Sequence, residues 1–61
     1  MQIKIVPSDN DFEPVTLKVA TLINITVSEY GADINYLSDD NTKKNFFIPV
    51  LMWNDTEIYF E

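Results

Sequence analysis

Between Val15 and Val27 the side chains alternate. Val15, Leu17, Val19, Ile23, Ile25 and Val27 share one parity, while Lys18, Asn24 and Thr26, with Ser28 just beyond, share the other. A period of two is a strand period, with one dry face and one wet face. The chain's only glycine, Gly31, comes next, and Ile34 and Tyr36 then restart the alternation. Residues 15 to 37 are therefore predicted to form a hairpin that reverses at Tyr30-Gly31-Ala32-Asp33, with Gly31 as the residue free to take a positive φ. Thirteen residues at about 3.3 Å each would run about 43 Å, more than a domain of this size is wide. The strand must bend. Ala20-Thr21-Leu22 is the predicted place, because Thr21 falls on the dry parity and Leu22 on the wet one.

The remaining strands attach to this hairpin. Gln2 to Val6 alternates, with Ile3 and Ile5 on one face, and closes at Pro7, which cannot donate to a ladder. A loop bounded by two prolines follows, from Ser8 to Pro14, and Phe12 is the residue expected to anchor it. Asp39-Asp40-Asn41-Thr42-Lys43-Lys44 reads as a turn cluster. Asn45 to Val50 reads as a strand with Phe46, Ile48 and Val50 on one side and Phe47 and Pro49 on the other. Leu51 to Asp55 fits a single tight turn, being too short for a stable helix. Thr56 to Glu61 is the last strand, with Ile58 and Phe60 inward and Tyr59 outward. Repeats, linkers and low-complexity segments are absent, so residues 1–61 are one small β domain.

This order, a first strand, a long loop, a meander with one bent strand, a one-turn connector and a final strand, resembles the SH3-like small barrels in topology over the whole chain. The predicted fold is all-β: a five-stranded antiparallel SH3-like barrel or a strongly bent meander, with an OB-like barrel also open. Peptide-binding SH3 domains carry an aromatic and acidic cluster around the first loop and a Trp that opens a strand. Here Trp53 falls in the connector, so the resemblance does not extend to polyproline recognition.

Sixty-one residues build one thin core. With no cysteine and no histidine, neither a disulfide nor thiolate or imidazole ligation can reinforce it. A hydrophobic fraction of 46% is enough for a packed fold. Four lysines face ten carboxylates and there is no arginine, a formal charge of −6. Such a field repels nucleic acid and anionic membrane. The amino end is too short and too polar for a signal peptide and no apolar run is long enough to span a bilayer, so a cytoplasmic or virion-borne protein is expected, in the host cytoplasm if it is phage-encoded.

Catalytic chemistry finds little to work with. The usual general base is missing, and so small a body does not readily build a cleft deep enough for paired carboxylates, so no enzyme activity and no catalytic residue is expected. Asp9-x-Asp11-x-Glu13 has the spacing that begins a calcium loop, but Pro14 stands where glycine is needed and Ala20 where the bidentate Glu belongs. No metal and no cofactor is expected. Two glycosylation sequons, at Asn24 and Asn54, carry no weight without a secretion signal. Lys43 and Lys44 read as a solvated loop tip.

The apolar residues say more. Phe46, Tyr36, Ile58 and Phe60 can all be core, whereas alternation turns Leu22, Leu37, Phe47 and Tyr59 to the other face and Trp53 sits on the connector. Closure of the barrel could bury some of them; left outside, an apolar patch of that size on a small body marks an interface, either with a partner protein or with a second copy. Carboxylates Asp9, Asp11, Glu13, Asp39, Asp40, Asp55 and Glu57 gather in loops and at strand ends. Charge would draw in a basic protein and the patch would retain it. The expectation is a partner-binding inhibitor of a host nucleic-acid enzyme, of the nucleic-acid-mimic or anti-defence type, making no direct contact with nucleic acid and itself homodimeric. Abundant Ile, Asn, Asp and Lys without arginine fits an AT-rich genome, such as a phage or mobile element. The alternative expectation is a structural assembly subunit.

Overall fold

A computed structural model describes residues 1–8 and 11–61. Five strands run antiparallel: β1 (Gln2–Pro7), β2 (Val15–Ser28), β3 (Gly31–Ser38), β4 (Lys43–Pro49) and β5 (Thr56–Phe60). A one-turn helix, α1 (Val50–Trp53), joins β4 to β5. The strand order is β4-β3-β2-β1-β5, and no hydrogen-bonded ladder joins β4 to β5 among the described residues. The sheet is thus a strongly bent meander with the strand sequence and short connector expected of a small barrel.

The bend lies in β2. Its fourteen residues would reach about 46 Å if straight, yet the longest dimension of the molecule is 31 Å. Its first residues pair with β1, in the register Ile3↔Leu17 and Ile5↔Val15. From Val19 onward it pairs instead with β3. Val19 serves both sides: its backbone exchanges hydrogen bonds with Met1, and it lies opposite Ser38. Just past this crossover the register slips twice, leaving Ala20 and Ile23 as extra residues without a partner. Each bulge flips the side-chain parity once and strengthens the local twist. The first turns Thr21 outward, opposite Leu37, and Leu22 inward, opposite Tyr36; the second returns Ile25 and Val27 to the inner parity. The mismatch of Thr21 and Leu22 with simple alternation is resolved by these two extra residues.

The core gathers where the two ends of the sheet face each other. Ile3, Ile5, Leu17, Val19, Ile34, Tyr36 and Ile48 are buried together, with Val15, Leu22, Phe46, Met52, Trp53 and Ile58 packed around them. Phe60 lies on the same face as Ile3, but at the open end of β5, and it remains exposed. Its expected place in the core is therefore corrected.

Two boundaries also shift. The chain reverses at Glu29-Tyr30, between the paired residues Ser28 and Gly31, rather than across Tyr30 to Asp33. The Ser28 hydroxyl accepts from the Tyr30 N–H at 3.2 Å and so nucleates the turn. Gly31 opens β3 with φ +144°, and a side chain there would collide with the Ile48 carbonyl oxygen at 2.1 Å and the Phe47 ring at 2.9 Å. Close approach requires this glycine as much as backbone conformation does. The second shift concerns β4, which starts at Lys43 and ends at Pro49: Lys43 and Lys44 belong to the strand, and Val50 belongs to α1.

Candidate functional site

The residues expected to form one apolar patch do not do so. Leu22 and Trp53 are half-buried and pack against the core, Leu22 because the bulge turns it inward and Trp53 because α1 folds back onto the sheet. Leu37 is half-buried on the outer face, between Thr21 and Lys43. Only Phe47 and Tyr59 are well exposed, at 44% and 47%, and they stand on opposite edge strands of the sheet. Alternation assigned Phe47 and Tyr59 to the outer face correctly, but it could not see the bulges or the fold-back of α1.

The carboxylates are likewise distributed over separate sites. Asp9 lies outside the described residues, and Asp11 and Glu13 are exposed in the β1–β2 loop. Asp39 and Asp40 occupy the β3–β4 turn, Asp55 follows α1, and Glu57 is on β5. Asp40 organises its turn. The Ser38 hydroxyl and the Thr42 N–H both donate to its Oδ1, and Ser38 and Thr42 are themselves joined across the turn, Ser38 N to Thr42 O at 2.9 Å. Asn41 completes the reversal with φ 65°, a left-handed conformation that asparagine tolerates. The hydroxyl donated by Ser38, then the donors of Thr42, hold the Asp40 carboxyl below the usual carboxylate range, with Lys44 adding to the effect. With Lys18, Tyr36 and Lys44, this turn lines an open depression of about 380 Å³ whose charges of both signs balance one another.

On β5, the Tyr59 hydroxyl donates to the Glu57 carboxylate. That bond, and the repulsion between carboxylate and phenolate, push the Tyr59 phenol up. Lys4 of β1 lies directly opposite Tyr59. Among the described residues, no group of three or more acidic side chains is placed to hold a metal ion, and no helix is long and apolar enough to cross a membrane.

Two features escaped the sequence. The first is an apolar groove of about 280 Å³ between the β1–β2 loop and the β4–α1 corner. Pro7, Phe12, Phe46, Phe47, Pro49 and Met52 form its walls, Ile5, Val15 and Ile48 form part of its lining from the core, and Glu13 stands at its edge. Phe12, expected to anchor the loop, is half exposed and serves as a groove wall. Proline and aromatic residues scattered from Pro7 to Pro49 gave no local pattern that could announce this groove. The second feature is a row of carboxamides across the outer face. Asn35 donates to Asn24 at 2.8 Å, and Asn45 donates to Asn35 at 2.9 Å and to Asp33 at 3.1 Å.

Pocket and charge thus meet at one place: a shallow groove with almost wholly apolar walls, opening beside the acidic β1–β2 loop on a body of net charge −6. Such a site can take a projecting apolar side chain and, next to it, a cation. No known protein family, no curated protein and no solved structure matches the chain.

Proposed function

We propose that this is a non-enzymatic, acidic protein-binding domain whose partner is a basic, nucleic-acid-binding protein, and that it acts by occupying that protein's nucleic-acid site. The observation that carries the reading is the apolar groove walled by Phe12, Phe46, Phe47 and Met52 on so acidic a surface. The negative field gathers a cationic partner from a distance and speeds the encounter. The groove then shelters an apolar anchor and slows release. A small acidic body docked on a cationic channel competes with a phosphate backbone for the same lysines and arginines. In this reading the protein is an inhibitor made by a phage or other mobile element, works in the host cytoplasm and is directed at a host nucleic-acid enzyme such as a defence nuclease.

The test is competition on an identified target. A basic nuclease captured from host lysate should lose activity at one equivalent of the protein, with DNA and the protein excluding each other. Capture should weaken steeply as salt rises from about 0.05 to 0.5 M. Phe12→Ser and Phe47→Ser, at the exposed walls of the groove, should abolish inhibition while circular dichroism stays unchanged. Capture that is insensitive to salt, or a nuclease that keeps cutting DNA in the complex, would overturn the reading.

A further inference from the structure

Among the described residues, the outer edges of β4, β5 and the second half of β2 carry no strand partner. Two of them are guarded. β4 bears Lys43 and Lys44 at one end and Pro49 at the other. β5 carries Glu57, with Glu61 just past its end. Charges, prolines and short length are the usual means of keeping an edge from pairing with another chain. From Ala20 to Ser28, β2 has neither a charge nor a proline. The bulges at Ala20 and Ile23 interrupt the near end, so the regular, unguarded stretch is Asn24-Ile25-Thr26-Val27-Ser28, paired residue for residue with β3 on its other side.

We infer that this edge is where two copies of the chain join, as an antiparallel β2–β2 pair with Thr26 on the two-fold axis. The chemistry of the stretch is palindromic about Thr26. Rotation by a half-turn sets Ile25 opposite Val27 on the inner face and Asn24 opposite Ser28 on the outer one, each residue meeting one of its own kind. A two-fold interface demands such self-complementarity, because one surface must serve as both halves. The pairing supplies partners for backbone groups along the edge and covers Val27, which is 58% exposed although it has inner-face parity. It also solves the charge problem of a −6 chain meeting its copy. The acidic residue nearest the axis is Asp33, directly across from Thr26 on β3, and its two copies stand three strand spacings apart, about 14 Å, beyond the Debye length of about 8 Å at physiological salt.

The chain contains no cysteine, so a single introduced thiol reports the register. Directly opposed residues of an antiparallel pair lie about 4.5–5.5 Å apart at Cα, within the range a disulfide bridges. Thr26→Cys should form a covalent dimer under mild oxidation at least about tenfold faster than Phe47→Cys or Tyr59→Cys, which place the thiol on the guarded edges. The unmodified chain should sediment at twice its 7.1 kDa. Val27→Lys should return it to the single mass with an unchanged circular dichroism spectrum. Equal crosslinking at all three positions would overturn the assignment. So would an unmodified chain that stays monomeric at about 0.5 mM, a concentration well above the Kd of a stable homodimer, and that outcome would leave the edge for a strand from a different protein.

Discussion

The two halves of β2 share one alternation and meet different fates. In the first half, Leu17 and Val19 are buried, because β1 closes one side and the core fills the face beneath. In the second half, Ile25 and Val27 occupy the same parity but are exposed at 36% and 58%, because β3 is their only neighbour strand. Periodicity states which way a side chain points. Whether anything covers it is decided by which strand lies alongside, and that is a property of the whole sheet.

The sharpest way to break this contrast is truncation at matched positions. Leu17→Ala should cost about 2–4 kcal/mol in urea unfolding, and Val27→Ala less than about 0.5 kcal/mol below the concentration at which copies pair. In a core this thin, the first change should bring the chain close to unfolding at room temperature. Equal losses at the two sites would mean that the second half has cover within the monomer.

At the junction between the hairpin and the β4–α1 corner, Gly31→Ala should cost about 2–3 kcal/mol, because the added methyl meets the Ile48 carbonyl and the backbone angle disfavours it. A tolerated Gly31→Ala would show that β4 can retreat from β3 at low cost. The bulges give a finer test: Leu22→Ala should cost about 1–2 kcal/mol and its neighbour Ile23→Ala less than about 0.5. Reversal of that order would place the extra residue elsewhere.

The smallest effects are in the pH dependence. The Asp40 carboxyl is depressed below 3.8 in the folded chain. Its turn therefore contributes stability above the ordinary carboxylate value and loses it as pH falls through the lower native one. Tyr59, raised above 10.0, behaves in the opposite sense. Its contribution is present below that value and lost as pH rises through the native one. Asp40→Asn should flatten the acid limb of a stability–pH curve and Tyr59→Phe the alkaline limb, each without moving the other.

Much of this was legible in the residues. The inner parity of Ile3, Ile5, Leu17, Val19, Phe46, Ile48 and Ile58 follows from alternation, and the conflict at Thr21 and Leu22 marked the bend before its form was known. The candidate site was less legible, because it is assembled from positions that share no period. Phe12 and Met52 line one groove because the β1–β2 loop meets α1 in space. Leu22 and Trp53 left the outer surface because bulges and chain reversals act on parity in ways that composition does not encode. The acidic residues were identifiable as charges, but their dispersal over separate loops and strands depended on the topology.

The asparagine row has a consequence for how the sheet selects its alignment. Apolar alternation resists a slip by one residue, which would invert every side chain, but it is nearly blind to a slip by two, which exchanges one hydrophobe for another on the same face. Carboxamides are less forgiving: Asn24, Asn35 and Asn45 stand abreast in a single alignment of β2, β3 and β4 and in no other. The water-facing side of this small sheet thus supplies the gauge that the oily side lacks, and three hydrogen-bonded amides on the outer face disfavour slipped alignments that leave the apolar pattern of the core intact.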